Sequence, residues 1–319
     1  MDYRKLGAAG VKVSPICMGT AFRGAPEEDV CLATIDRAIE LGINFFDCAN
    51  EYQRGRCERI VGKALKGRRD NFVVTTKVCS STGSGPNDRG LSRFHIMREV
   101  ENSLSRMQMD HVDIYLMHAP DRDTPVEESV RAFDDLVRQG KVRYIGCSNF
   151  EAWRVCKGLW FSDRHHLASF ACVQDHYNLL DRRVERQLVP LCLAEGVGIM
   201  TYSAVAVGLL TGKFRHGQAP PPGTGWAKDP RRFEMMMTAE ADRVVEAVIQ
   251  IAAQRSKTPA QVAIAWLLSK PGVTAAMIGP ESPQQLEENL GGVGWELADE
   301  EIQTLNEVSA WFVSNGKII

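Results

Sequence analysis

Residues 44–52 read N-F-F-D-C-A-N-E-Y, a short apolar run that stops on Asp47 and is followed five residues later by Tyr52. The same arrangement recurs down the chain. Residues 72–76 (F-V-V-T-T) end on Lys77, 112–117 (V-D-I-Y-L-M) on His118, and 144–147 (Y-I-G-C) on Ser148 and Asn149. Residues 171–173 end on Gln174, 198–201 on Tyr202, and 275–278 on Gly279. A run over 13–18 precedes them all and closes on Gly19 and Thr20, which makes eight. Successive steps from Asp47 to Lys77, His118, Ser148, Gln174 and Tyr202 are 30, 41, 30, 26 and 28 residues, each the length of a βα unit. Eight such units predict an α/β fold, a closed (β/α)8 TIM barrel in which the C-terminal ends of all strands meet on one face.

The 319 residues are 44% hydrophobic and 24% charged, an ordinary globular balance with material for a large core. A barrel of this kind takes about 250 residues plus insertions, so one domain over 1–319 accounts for the whole length. A net charge of −2 and a pI near 6.4 argue against a nucleic-acid or anionic-membrane surface. Nine cysteines without a C-x-x-C pair indicate reduced thiols, as in a cytoplasmic protein. Cys17, Cys147 and Cys172 sit in apolar runs and read as core. Cys48, directly after Asp47, reads either as a buried hydrophobe or as part of a site rim. The opening M-D-Y-R-K-L carries no apolar signal region, and no segment has the apolar length of a membrane span.

Residues 3–6 and 11–13, separated by G-A-A-G, predict a hairpin that plugs the barrel bottom. Apolar periodicity and turn residues place helices near 30–41, 57–65, from Leu91 onward, from Thr124 to Gly140, and near 151–159 and 184–195. Further helices are expected near 240–254, 259–268, 283–290 and 299–310, the last of them extra C-terminal elements. Two stretches lack periodicity: 79–90, and 208–237 with its G-L-L-T-G-K-F and A-P-P-P-G-T-G. Both predict long loops over the C-terminal face. The tail 313–319 is placed to fold over the barrel mouth.

If Asp47, Tyr52, Lys77 and His118 meet there, they form a site for protonating an oxygen that gains charge as hydride reaches carbon. A lysine ammonium beside Tyr52 would bring the phenol down from its ordinary value near 10, Asp47 would hold Lys77, and a neutral His118 would orient a carbonyl oxygen. No metal site is expected, since His165 and His166 are adjacent and no histidine pair stands at i, i+4 beside a carboxylate. No G-x-G-x-x-G follows the first strand, so a nicotinamide would have to lie across the strand ends. Ser148, Asn149 and Gln174 suit a carboxamide or serve as satisfied loop polars, and Tyr202 offers a flat face for the ring.

With these residues in place, the sequence resembles the aldo-keto reductases over nearly its full length. The resemblance rests on G-T at 19–20, F-D-x-A-x-x-Y at 46–52, T-K at 76–77, H-A-P-D at 118–121 and G-C-S-N-F at 146–150. It continues through Q-D-H-Y-N-L at 174–179, Y-S-A-V-A-V-G-L-L-T-G-K at 202–213 and I-G-P-E-S-P-Q-Q-L-E-E-N at 278–289. P-N-D-R-G-L-S at 86–92 is similar to the branch that groups with potassium-channel β subunits and sugar or aldehyde reductases. The resemblance implies Tyr52 as proton donor in a tetrad with Asp47, Lys77 and His118, and reversible NAD(P)H-dependent reduction of an aldehyde, ketone or sugar carbonyl.

It further implies that Gly19, Thr20 and Asp47 border the cofactor and that Ser148, Asn149 and Gln174 hold the carboxamide. Tyr202 would stack on the ring, and Ser203, Ala204, Val205, Gly208 and Lys213 would wrap the pyrophosphate. Gly279, Glu281, Ser282, Gln285, Glu288 and Asn289 would surround the adenosine. Ala204 departs from the family's usual proline. Family habit implies NADP(H), but a carboxylate at Glu281 would repel a 2′-phosphate and could accept from ribose hydroxyls, which opens NAD(H). Alternatively Glu281 faces solvent and Ser282 with Gln285 does the recognition. Phe22, Arg23, residues 80–90, Trp226 and Trp311 are expected around the substrate. A cofactor-binding regulatory or scaffold protein, and a barrel enzyme using Lys77 as a Schiff base, are the rival readings.

Overall fold

The computed structural model describes residues 1–24 and 26–317. Strands β1 (Arg4–Lys5) and β2 (Lys12–Val13) form an antiparallel hairpin. Eight parallel strands follow: β3 (Ile16–Gly19), β4 (Phe45–Asp47), β5 (Val73–Val78), β6 (Val112–Met117), β7 (Val142–Ser148), β8 (Phe170–His176), β9 (Gly198–Tyr202) and β10 (Val273–Ile278). They pair in chain order and β10 closes on β3, so the sheet has no edge. Both faces are covered, which is why the strands read as continuous apolar runs.

Outward side chains of the strands pack under a ring of helices that includes Glu28–Glu40, Arg56–Leu65, Arg93–Met107, Val126–Arg138 and Ala152–His165. Helix starts follow capping chemistry: Ser92 Oγ accepts from His95 N at 3.3 Å, and Thr258 with Gln261 forms a capping box for Pro259–Leu268. Inward side chains make a separate cluster of Cys17, Phe45, Val73, Ile114, Leu116, Cys172, Met200 and Ala275, with Leu6 and Val13 of the hairpin packed against it. The hairpin therefore closes the N-terminal end of the barrel, as expected.

Three regions differ from expectation. Within 208–237 the chain forms a helix, Pro230–Met236, whose Asp229 cap accepts from Arg232 N and whose Phe233 and Met236 are buried. Pro230 stands at the first helical position, where no backbone N–H is required. The helix expected over 184–195 splits into a 3-10 turn, Arg183–Arg186, and the helix Leu188–Glu195. Pro190 has no N–H to donate to a helical bond and its ring excludes the carbonyl four residues upstream, so the helix cannot extend backward.

The third difference lies at the C-terminus, where Asp299–Val308 is followed by a short helix, Phe312–Asn315. Arg182, in the loop after β8, ties it down: its amide donates to Phe312 O at 3.1 Å and Nη1 donates to Asn306 O at 2.7 Å and Ser309 Oγ at 2.8 Å. Ile318 and Ile319 of the expected tail lie outside the described residues.

Gly7 makes the hairpin fit. Its φ is +57°, and a Cβ there would stand 2.4 Å from Gly196 O and Gly198 N, backbone atoms that cannot move aside. Gly7→Ala is expected to cost on the order of 3 kcal/mol through strain and overpacking. A urea midpoint unchanged in that variant would show that the hairpin does not brace the barrel.

Candidate active site

The inward-facing residues change character above the apolar floor. Phe45 gives way to Asp47 on β4, Val73 to Thr75 and Lys77 on β5, Leu116 to His118 just past β6, Cys172 to Gln174 on β8, and Met200 to Tyr202 on β9. Because strand side chains alternate with period two, each polar residue must point into the same mouth as the apolar one beneath it. Register does the rest: Gly19 pairs with Asp47, Asp47 with Thr75, and Ser148 with Gln174.

Lys77 Nζ donates to Asp47 Oδ2 at 2.5 Å, Cys48 O at 2.7 Å and Tyr52 Oη at 3.2 Å, so all three of its protons are used. Lys77 and Asp47 are both 0% exposed. Gln174 Nε2 donates to Asp47 Oδ1 at 2.8 Å. The His118 ring meets Tyr52 edge-on with centroids 5.8 Å apart, and its Nδ1 lies 3.4 Å from Glu51 Oε1.

Burial alone would neutralise both members of the ion pair, but the surroundings oppose it. For Lys77 desolvation is overcome by Asp47 and Tyr52, which push its pKa up and keep the ammonium charged. For Asp47 burial lifts the pKa while Lys77 and Gln174 pull it back. With Lys77 on one oxygen and Gln174 on the other, the contacts hold Asp47 as an acceptor-only carboxylate, and the pair is ionised.

The expected depression of the Tyr52 pKa is not what results. Burial raises it, and Lys77 only partly offsets the rise. The phenol therefore rests protonated. His118 is pushed down to about 3, chiefly by burial and then by the nearby Lys77 and Arg23, which leaves a neutral imidazole.

The loop that delivers Tyr52 is held in an uncommon shape. Gln53 and Arg54, directly after it, have φ of 47° and 55°, the left-handed region that non-glycine residues enter rarely. Gln53 Nε2 donates to Ala21 O at 3.0 Å and to Phe22 O, and Arg56 Nη1 donates to Gln53 Oε1 at 2.7 Å. Behind the strand, Thr76 Oγ1 donates to the fully buried Glu58 at 2.6 Å. Neither Gln53 nor Glu58 stands out in the sequence.

The residues expected around the cofactor fall in three places. At the mouth, Thr20 Oγ1 donates to Asp47 O at 2.8 Å, and Asn149 Nδ2 donates to Ser148 Oγ at 2.9 Å and His118 O at 3.0 Å. Tyr202 Oη donates to Asn149 Oδ1 at 2.7 Å. Beyond β9, Ser203 (φ 59°), Ala204, Val205 and Gly208 form a tight turn, with Lys213 exposed further along. Past β10, Gly279 leads to Glu281, whose Oε1 accepts from Gly24 N at 3.2 Å. Ser282 caps the helix Pro283–Leu290, which carries Gln285, Glu288 and Asn289.

Phe22 and Trp226 are packed into the core, the latter donating from Nε1 to Val207 O at 3.0 Å. Arg23 is exposed, and Trp311 is 56% exposed. All nine cysteines are free thiols, and Cys48 is buried. Among the described residues no cluster could hold a metal ion, and no helix is long and apolar enough to cross a membrane.

A barrel with this constellation at its mouth has counterparts. The model of the Aldo/keto reductase family matches residues 15–310, and the chain belongs to that family of oxidoreductases. It is 37% identical to the uncharacterized oxidoreductase YrpG of Bacillus subtilis (strain 168), over 97% of this chain and 96% of that protein. It is 35% identical to a probable voltage-gated potassium channel subunit beta of Arabidopsis thaliana, over 92% and 91% of the two chains. A protein of the same description from Oryza sativa subsp. japonica is also 35% identical, over 91% and 90%.

The neutrality of His118 carries a stability consequence. Its folded value, about 3, lies below the ordinary 6.5, so the unfolded chain binds a proton that the native state refuses. Stability attributable to this residue is complete above about pH 6.5 and falls as pH drops toward about 3. His118→Asn should therefore show a smaller loss of urea midpoint than the wild type on going from about pH 7 to about pH 5. Parallel losses in the two proteins would contradict a native imidazole held neutral.

Proposed function

We propose that the chain reduces the carbonyl of an aldehyde, ketone or sugar reversibly with NAD(P)H, Tyr52 acting as general acid and base. The observation that carries this reading is the Tyr52 hydroxyl, protonated and 3.2 Å from an ammonium fixed by a buried carboxylate. A bound reduced nicotinamide supplies the hydride. As the substrate oxygen gains negative charge, Tyr52 delivers its proton to it, and Lys77 stabilises the phenolate left behind. Neutral His118, edge-on to Tyr52, adds a second polar contact to orient that oxygen. Proton return to Tyr52 from solvent completes the cycle.

The residues present fit a nicotinamide. Gln174 uses its amide N–H on Asp47, which leaves its Oε1 as an acceptor. Ser148 Oγ accepts from Asn149, which leaves its proton to donate. One free acceptor and one free donor complement a primary carboxamide. Tyr202, anchored through its hydroxyl to Asn149, presents its ring beside them.

At the far end, Glu281 Oε2 is buried and has no partner among the described residues. It suits a ribose hydroxyl better than a phosphate. NAD(H) is thereby favoured over the family's habitual NADP(H).

Tyr52→Phe should lower kcat for a simple aldehyde by about 10³-fold or more while the dissociation constant of the reduced cofactor stays unchanged. A wild type without turnover would favour instead the regulatory reading that the plant relatives' names suggest. Glu281→Arg should move the kcat/KM ratio of NADH to NADPH about tenfold toward NADPH, the scale of one hydrogen bond to a charged group. An unmoved ratio would hand the recognition to Ser282 and Gln285.

A further inference from the structure

The helix Arg93–Met107 packs Ile96, Val100, Leu104 and Met107 into the core, and Glu99 stands in the same stripe, 2% exposed. A hydrocarbon side chain would fill that position without electrostatic cost, whereas a carboxylate must be matched by donors. The donors present are specific. Asn102 Nδ2 reaches Oε1 at 3.0 Å and Arg98 Nε lies 3.7 Å from it, both from the same helix. Asn50 Nδ2 reaches Oε2 at 2.9 Å, and this contact leaves the helix for the loop between Asp47 and Tyr52.

Asn50 is well placed to transmit a constraint. Its amide N donates to Lys77 O at 3.3 Å, and one residue earlier Ala49 O accepts from Tyr52 N at 3.2 Å. Because a carboxylate only accepts, Glu99 fixes which end of the Asn50 amide faces it, and a charged acceptor strengthens the bond. Gln53 pins the other side of Tyr52 to the loop after β3. Tyr52 thus hangs between two side-chain anchors, one of them buried in the helical layer.

We propose that Glu99 is a positioning residue for proton transfer. Through Asn50 it sets the seat of residues 48–52, and with it the reach from Tyr52 Oη to Lys77 Nζ. The proposal rests on the reading of Tyr52 as proton donor. A carboxylate that served packing alone would affect global stability and nothing local.

The test compares Glu99→Leu, Glu99→Gln, Asn50→Ala and the Glu99→Leu/Asn50→Ala double variant with wild type. Amide hydrogen exchange, kcat for an aldehyde and the cofactor dissociation constant are measured. Glu99→Leu and Asn50→Ala should each speed exchange within 49–55 and leave the barrel strands protected. Each should lower kcat at least about tenfold, since small misplacements of a reacting group cost that much or more. Cofactor affinity should hold within about twofold, and the double variant should be no worse than either single one. Glu99→Gln, which keeps an acceptor for Asn50, should recover most of the loss.

Unchanged exchange and kcat in Glu99→Leu, or losses that simply add in the double variant, would overturn the proposal. Should Glu99→Leu not fold, Asn50→Ala and Glu99→Gln carry the same comparison. A wild type that turns over no carbonyl would sink the reductase reading, and the exchange arm would still decide whether Glu99 seats the loop.

Discussion

A lysine and an aspartate with no exposure to solvent hold one another at the centre of the barrel mouth. Two charges removed from water are costly, and the pair persists because each of its charged atoms has a hydrogen-bond partner. Lys77 has three acceptors, and Asp47 has Lys77 on one oxygen and Gln174 on the other. Losing one partner would leave the other buried and unmatched, a loss of about 3–5 kcal/mol. Replacing both with hydrocarbon would be far less costly. The pair is thus better understood by what it does to Tyr52 than by what it adds to stability.

That effect is a balance of burial against charge. Burial keeps the phenol protonated, and the adjacent ammonium makes the phenolate tolerable once a proton has left. In the proposed reaction a more exposed Tyr52 would gain less from the ordered ammonium, and a buried one without Lys77 would hold its proton more tightly. His118 contributes by staying uncharged in the same setting. Around this centre the helical layer is not inert, since Glu58 and Glu99 place acceptors behind Thr76 and Asn50, on the outer side of the wall that carries the site.

Much of this was legible in the sequence because strands repeat every two residues and barrels gather strand ends. Runs stopping on Asp47, Lys77, His118, Gln174 and Tyr202 therefore mark the mouth in the sequence itself. What stayed hidden depends on tertiary context. Pro230 starts a helix of only seven residues, too short for apolar periodicity to set it apart from the Pro- and Gly-rich stretch before it. The rise in the Tyr52 pKa follows from desolvation, which spacing does not reveal. Gln53 and Arg54 are not glycines, so nothing advertised their left-handed backbone. Glu99 did leave a trace: it stands three residues after Ile96 and one before Val100, a charge inside an apolar stripe.

The central claim, that Tyr52 gives up its proton to an oxygen receiving hydride while Lys77 holds the phenolate, concerns a single chemical step. It is tested most directly by single-turnover oxidation of bound reduced nicotinamide by an aldehyde, followed in H2O and D2O for the wild type and Lys77→Met. The account predicts oxidation that slows in D2O and nearly vanishes when the ammonium is removed. Oxidation indifferent both to D2O and to the loss of Lys77, or no oxidation at all in the wild type, would contradict it.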